Sequence, residues 1–247
     1  MALRKIPILV FLVAFIFSCT SELPTSSGDS PELTDEAKLA AIWISDEPFY
    51  PVDLAQTLQA KFEELREEYG DAFPYVNMEF RYPAVPKELL FGFTQQAMQE
   101  VISGDYHEWD ELNEQYGVSE VLIRNVELGL AKLIFEDQVN PFLLGDIYET
   151  LPGVVYSEPN GLIGDWSNIY PWLVEGQLAF LVREAWGDCP AGCIYSHFWY
   201  FKSTISGIRF VGEFETGEPK PGWWPEIEPA LRKYLYGDAA DCGIYGG

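Results

Sequence analysis

Three observations predict an α+β fold for this chain. Runs of residues that alternate between two faces at every second position indicate β-strands, and apolar residues that recur every third or fourth position indicate helices. Both kinds of run are interleaved between 89 and 160, and strands alone follow from 177 to 214. This order predicts an antiparallel sheet with two covering helices, followed by a C-terminal three-stranded β-meander.

The composition is that of a folded, strongly acidic protein. The 247 residues are 48% hydrophobic and 15% aromatic, which is enough to build a core. The formal net charge is −24, from 39 acidic against 15 basic residues. Because an anionic protein repels phosphate backbones, no nucleic-acid partner is expected. No EF-hand spacing of acidic residues occurs, and no cofactor is predicted.

The first 18 residues are typical of an export signal. Two positive residues near the start precede an apolar run, 6–18, which is too short to span a membrane comfortably. The run ends in IFSC at 16–19, which resembles the lipobox of bacterial lipoproteins, although Phe17 replaces the small residue usual there. The resemblance implies cleavage before Cys19 and lipidation of that cysteine. A plain secretory signal cleaved near Ser18 is the alternative.

This resemblance implies a lipid-anchored protein of the cell envelope, held to the membrane by its N-terminal lipid. Thr20, rather than Asp, follows the cysteine, which favours the outer membrane in a Gram-negative bacterium. Residues 19–36 are rich in Ser, Pro, Thr and acidic residues and predict a flexible tether.

A long helix is predicted from Asp53, which would cap its start, to Gly70, which would end it. Before it, 37–45 is short and apolar and fits either a helix or a strand. After it, 75–82 alternates weakly and fits a strand. Further elements follow in the order strand 89–93, helix from Thr94 continued to Gly117, strands 118–125 and 130–135, helix from Asn140-Pro141 to Gly153, and strand 154–157.

This order of elements, ending in LPGVVYSEPN at 151–160, resembles the N-terminal propeptide domain of subtilisin-family proteases. The resemblance covers 89–160 and implies a propeptide-like, ferredoxin-like layout that binds a protease or another protein or peptide. Subtilisin-family catalysis needs an Asp, a His and a Ser on a large α/β domain. The chain after Asn160 is too short for that domain, so no protease activity is predicted.

The predicted meander has a tight turn between its first two strands, with Cys189 and Cys193 at the two ends. In an exported chain this spacing predicts a disulfide. The alternative is a metal site formed by both cysteines and His197, for which a fourth ligand is missing. Cys242 has no evident partner.

Three residues of the meander are candidates for ligand contact: Arg183, His197 and Trp199. They would suit an anionic or carbohydrate ligand, and an ordinary aromatic ladder is the competing interpretation. The adjacent Trp223 and Trp224 fit either an aromatic platform or the edge of a core. His107 is expected to be an exposed helix residue.

The functional expectation is a non-catalytic, lipid-anchored interaction module for a protein or peptide. One alternative is a small-ligand or glycan binder that uses Trp199, Trp223 and Trp224, and another is a small hydrolase that uses His197 with a metal or a cysteine thiol. The sequence divides into a signal peptide 1–18, a tether 19–36, an α+β domain 37–160, a meander 161–215 with the disulfide turn, and a Gly/Pro-rich tail with a short helix 216–247.

Overall fold

The computed structural model describes residues 32–236, which form two four-stranded antiparallel sheets and six α-helices. The mixed helix and sheet content agrees with the predicted α+β class. The helices are α1 Asp35–Ser45, α2 Val52–Tyr69, α3 Gln95–Ser103, α4 Asp110–Tyr116, α5 Pro141–Glu149 and α6 Trp224–Tyr236. The strands are β1 Ala84–Phe93, β2 Val118–Asn125, β3 Leu130–Phe135, β4 Val154–Gly161, β5 Asn168–Val174, β6 Gln177–Trp186, β7 Tyr195–Thr204 and β8 Gly207–Glu215. Short 3-10 helices occupy Pro74–Asn77 and Cys189–Ala191.

The helix starts follow local sequence, with one exception. Thr94 caps α3 by accepting a hydrogen bond from the backbone N–H of Ala97, and Asn140 caps α5 in the same way, as predicted. The prediction that Asp53 caps α2 is wrong. The helix begins one residue earlier, at Val52, and Asp53 lies inside its first turn, where its carboxylate suits the positive end of the helix. The weak strand predicted at 75–82 is also wrong, since the 3-10 helix Pro74–Asn77 and irregular backbone occupy it.

The first sheet has the strand order β2-β3-β1-β4, and every neighbouring pair is antiparallel. Helices α3 and α4 connect β1 to β2, and α5 connects β3 to β4. Alternate residues of β1 and β3 are buried in a core with these helices, namely Leu89, Phe91, Phe93, Ala131, Leu133 and Phe135. In that core Phe91 meets Tyr148 edge-on at 5.5 Å, and Phe93 meets Trp109 at 5.5 Å. The helices therefore cover one face of the sheet.

The predicted meander of three strands is a sheet of four, in the order β5-β6-β7-β8. The additional strand, β5, pairs with β6 through a tight turn at Glu175 and Gly176, both with positive φ. Pro171 lies within β5, which obscures the strand pattern. A proline is tolerated there because β5 is an edge strand, where the missing N–H costs no ladder hydrogen bond.

Helices cover both faces of the second sheet. On one face Phe62 of α2 lies 5.2 Å from Phe180, and on the other Trp224 of α6 lies 5.0 Å from Phe198. Six consecutive residues of β6, from Leu178 to Arg183, are buried as a result. A strand buried on both faces is what a doubly covered sheet requires.

The packing crosses two of the predicted segment boundaries. Helices α1 and α2 share their core with the second sheet and not with the core of the first sheet, although the prediction grouped them in one α+β domain, 37–160. Helix α6 is likewise part of that second core, although the sequence placed it in a tail. Both of these core contacts join residues far apart in the chain, which local patterns do not reveal.

Candidate functional site

Arg183 is buried and held by a charge pair. Its Nη1 and Nη2 donate to the two carboxylate oxygens of Asp165 at 2.6 and 2.7 Å, and its Nε donates to Ser196 Oγ at 2.8 Å. Burial lowers the pKa of the Arg183 guanidinium, but the hydrogen bonds to Asp165 outweigh this effect and the pKa is raised. Arg183 therefore stays charged and its donors are engaged inside the protein.

Arg183 and His197 do not share a face of the sheet. In the register of β6 and β7, Glu184 is opposite His197, whereas Arg183 is opposite Phe198. Because neighbouring residues of a strand point to opposite faces, Arg183 and His197 lie on different sides. The prediction that Arg183, His197 and Trp199 form one ligand site is wrong for Arg183.

The Cys189–Cys193 disulfide is present, with the two Cα atoms 4.0 Å apart. The backbone N–H of Asp165 donates to the Cys189 carbonyl at 2.8 Å, and Asp165 Oδ2 accepts from the N–H of Cys193 at 3.2 Å. Asp165 thus joins the disulfide turn to the buried Arg183. Within residues 32–236, no group of three or more His, Cys, Asp or Glu side chains is arranged to hold a metal ion.

His197 and Trp199 do lie together, in a row of aromatic rings on the α2 side of the second sheet. Their rings stack at 4.3 Å, and Trp199 also stacks on Tyr75 at 5.9 Å. One row further along the strands, Trp186 stacks on Tyr195 at 6.0 Å. We call these five residues the aromatic strip.

Carboxylates flank the aromatic strip. Glu213 Oε2 accepts from Trp199 Nε1 and lies 3.1 Å from His197 Nε2. Glu184 accepts from the Tyr75 hydroxyl at 2.5 Å, and this hydrogen bond raises the pKa of Tyr75. Sequence reasoning missed both carboxylates because they sit on neighbouring strands, at positions that only the register defines.

Trp223 and Trp224 belong to the opposite face and do not join the aromatic strip. Trp224 is buried between Phe198 and Phe214, with ring centroids 5.0 Å from each. Trp223 packs on Tyr200 at 5.0 Å, and Tyr200 faces away from its neighbour Trp199. The tryptophan pair therefore borders a core, and a platform of Trp199, Trp223 and Trp224 does not form.

Within residues 32–236, no helix covers the second face of the first sheet. The strand residues that alternate with the core residues point there, and five of them are apolar and half-buried while belonging to neither core: Leu90, Leu122, Leu130, Ile134 and Tyr156. We call this surface the open face. Period-two alternation in β1 and β3 carries the signal for it in the sequence.

A charge pair and a close ring contact organise the open face. At its centre, Lys132 Nζ donates to Glu88 at 2.6 Å. The Tyr156 ring lies directly on the backbone of Gly92, where an added Cβ would come within 2.2 Å of a ring carbon. The glycine is therefore required for Tyr156 to lie flat on the sheet.

Among the concave regions of the described residues, two lie away from these surfaces and next to residues discussed above. A cavity of about 130 Å³ lies between α1, α5 and α6 and is lined by Trp43, Asn140 and Lys233, among others. A wider cleft of about 560 Å³ lies beside the disulfide turn, with Arg183 and Ser196 in its lining. Both of these polar residues already bond within the protein, so the cleft offers a new ligand little unpaired polarity.

The remaining predictions concern His107, Cys19, Cys242 and the export signal. His107 is exposed, but it lies between α3 and α4 and not on a helix as expected, and it pairs with Asp110 at 2.7 Å. Cys19 and Cys242 lie outside the described residues, as does the export signal. Among helices α1–α6, none is long and apolar enough to cross a membrane.

Comparison with family models, with curated proteins and with solved structures finds no match for this chain. Function is therefore inferred from the side chains themselves. In the part of the chain that the structure describes, the open face and the aromatic strip each combine apolar or aromatic side chains with charged groups.

Proposed function

We propose that this protein is a non-catalytic, lipid-anchored cell-envelope protein that binds a protein partner through the open face. The observation that carries the proposal is the set of five half-buried apolar side chains that belong to neither core. A sheet face with apolar side chains around a central ion pair resembles an interface in its mixture of apolar and charged groups.

The arrangement of 84–161 supports a propeptide-like, ferredoxin-like layout. Strands alternate with two helical connections, and the strand order places β1 and β3 in the centre, with β2 and β4 at the edges. The segment LPGVVYSEPN forms the end of this unit, from the second residue after α5 through most of β4. We take a subtilisin-family protease as the partner of this surface.

The chain does not stop after this unit, which constrains the mode of binding. Gly161 pairs with Ala84 at the end of β4, and the chain continues into β5 of the second sheet. A partner would therefore contact the sheet face and not a free chain end.

A binding experiment with substitutions on the open face tests this proposal. The purified full-length protein is expected to bind and inhibit a subtilisin-family protease. Ile134→Glu and Leu122→Glu should each weaken binding by about tenfold or more, because a charge replaces an apolar contact in the interface. Ile205→Glu, at a fully exposed position on the turn between β7 and β8, is the matched control and should leave binding unchanged.

Two results would contradict the proposal. Absence of inhibition with the folded wild-type protein would remove the protease partner. Equal loss of binding for Ile134→Glu and Ile205→Glu would remove the open face as the binding surface.

The envelope location rests on Cys19, which lies outside the described residues. Replacing Cys19 by Ala should move the protein from the membrane fraction to the released fraction, because the acyl chains supply the membrane affinity. A wild-type protein that is already released, with a mature N-terminus elsewhere by mass analysis, would contradict lipidation.

The two alternative functions, a hydrolase and a small-ligand binder, differ in their support from the structure. A hydrolase built on His197 needs a neighbouring nucleophile or metal, but His197 contacts Trp199 and Glu213, and the two described cysteines are joined to each other. A small-ligand binder is favoured by a specific observation, the exposed stack of Trp186 and Tyr195 in the aromatic strip.

A further inference from the structure

We propose that the aromatic strip binds the guanidinium group of an arginine-containing peptide. This site goes beyond the proposed function, because it lies on the second sheet and uses no residue of the open face. It also replaces the anionic or carbohydrate ligand that the sequence suggested, since the arginine needed for an anion faces the other side.

The register of the second sheet places acidic and aromatic residues in adjacent rows. In one row His197 lies between Glu184 of β6 and Glu215 of β8. In the next row Trp199 lies between Val182 and Glu213. No Lys or Arg occupies a strand position in either row, so a cation approaching these rings meets carboxylates on both sides.

Around Trp199, His197 and Tyr75, the hydrogen-bonding capacity that remains is that of an acceptor. Trp199 Nε1 and His197 Nε2 both lie within hydrogen-bonding distance of Glu213, and the Tyr75 hydroxyl donates to Glu184. The second oxygen of each carboxylate can accept a further hydrogen bond.

This polarity favours a guanidinium over a sugar. A guanidinium has five donors and no acceptor, so it matches a surface of free acceptors. A sugar hydroxyl both donates and accepts, and three central donors of the strip that could serve it are already engaged.

The exposed rings supply the second half of the site. Trp186 is 38% exposed and Tyr195 is 49% exposed, although the two rings stack on each other. Planar guanidinium groups stack on aromatic faces, and the attraction to the ring adds to that of the carboxylates. Two arginines spaced along a peptide could thus use the Trp186 row and the Trp199 row together.

A pair of isosteric peptides tests this proposal. One peptide is acetyl-Arg-Gly-Arg-Gly-Arg-amide, and the other has citrulline, which is neutral, in place of each arginine. Calorimetric titration of the full-length protein should show binding of the arginine peptide at least about tenfold tighter than that of the citrulline peptide, because only the charged group gains the carboxylate and ring attraction.

Variants of the strip separate the site from the general negative charge of the protein. Glu213→Gln, Glu184→Gln and Trp186→Ala should each weaken binding of the arginine peptide by about three- to tenfold. Glu63→Gln, on the exposed surface of α2, removes the same charge elsewhere and should change binding by less than about twofold. Ile134→Glu on the open face should have no effect on this peptide.

Several outcomes would overturn the proposal. Equal binding of the two peptides would remove the guanidinium as the ligand. Equal weakening by Glu63→Gln and Glu213→Gln would show attraction to the whole surface only. Binding of an oligosaccharide, such as chitotriose, at the strip without binding of the arginine peptide would assign the site to a glycan. The conservative Glu→Gln changes keep the test informative if Trp186→Ala fails to fold.

Discussion

The pair of Arg183 and Asp165 shows how one buried charge controls its surroundings. Taking both charges out of water is costly, and the cost is offset when the two groups pair with good geometry and satisfy their other hydrogen bonds. Arg183 does so through two bonds to Asp165 and one to Ser196. Asp165 in turn holds the backbone of Cys189 and Cys193.

Breaking this pair should be strongly destabilising. Arg183→Met is expected to lower the free energy of unfolding by about 3–5 kcal/mol, because it leaves the Asp165 carboxylate without its partner. Urea unfolding measures the change. Lys38→Met, which removes the cation that pairs with the exposed carboxylate of Asp35 at 3.6 Å, is the control and should cost less than about 1 kcal/mol. Similar losses for the two variants would contradict the structural role of Arg183.

Glu88 gives the protein a predictable response to acid. Burial raises the pKa of Glu88, but hydrogen bonds from Lys132 and Asn160, both at 2.6 Å, outweigh it and the pKa lies below its ordinary value. Because the pKa is lower in the folded than in the unfolded state, the carboxylate stabilises the fold above the unfolded pKa. That contribution is lost as the pH falls through the folded pKa.

The measurable consequence is a difference between the wild type and Glu88→Gln. Between about pH 6 and about pH 3, the wild type should lose about 1 kcal/mol more unfolding free energy than the variant, which has no carboxylate to protonate. Urea unfolding at the two pH values gives both losses. Parallel losses would show that Glu88 has no such pKa shift.

Among the elements, the hairpin of β6 and β7 connects the disulfide to the aromatic strip. The turn at 187–194 is closed by the disulfide, and Trp186 and Tyr195 are the residues on either side of it. The disulfide therefore limits the motion of the strand ends that carry the outer aromatic pair. The two halves of the strip differ in this respect, since Trp199 is held by Tyr75.

Replacing Cys189 and Cys193 together by Ala should lower the free energy of unfolding by about 1–3 kcal/mol, with the fold retained. The loop closed by the disulfide is short, so its removal restores little chain entropy to the unfolded state. Thermal and urea unfolding measure the loss, and thiol counting on the unreduced wild type checks that both sulfurs are bonded. Free thiols at Cys189 and Cys193 would contradict the structure of the turn.

Several elements could be read from local sequence, and others could not. Thr94 and Asn140 mark the starts of their helices in the sequence because capping is a local interaction. His197 and Trp199 are neighbours because they are two residues apart on one strand. Strand β5 was missed because Pro171 interrupts its pattern. The face of Arg183 could not be assigned, because a change of one residue in hairpin register exchanges the two faces.

On the scale of the whole molecule, one core is interrupted in sequence by the other. Helices α1 and α2 pack with β5–β8 and α6, and the intervening 84–161 builds the first sheet and its core. Ala84 and Gly161 are register partners, so this segment leaves and returns at adjacent points. Phe142 of α5 lies 6.2 Å from Trp43 and provides one contact between the two parts.

We call residues 85–160 the insert, and the core formed by α1, α2, β5–β8 and α6 the second core. The second core should remain folded when the insert is removed. We expect a chain in which a short Gly/Ser linker replaces 85–160 to unfold cooperatively, with a free energy of unfolding about 1–3 kcal/mol below that of the full chain because the contact of Phe142 with Trp43 is lost. Circular dichroism and urea unfolding measure this. Loss of the cooperative transition would show that the two cores depend on each other.

The interruption also sets an order of events as the chain folds. Phe62 and Phe180 are separated in the sequence by the whole insert. Their contact therefore carries a high entropic cost of loop closure. When the insert folds, pairing of Ala84 with Gly161 brings the two halves together and shortens the effective loop. Folding of the insert is therefore the step that lets the second core form rapidly. Substitutions that slow folding of the insert should also delay formation of the second core.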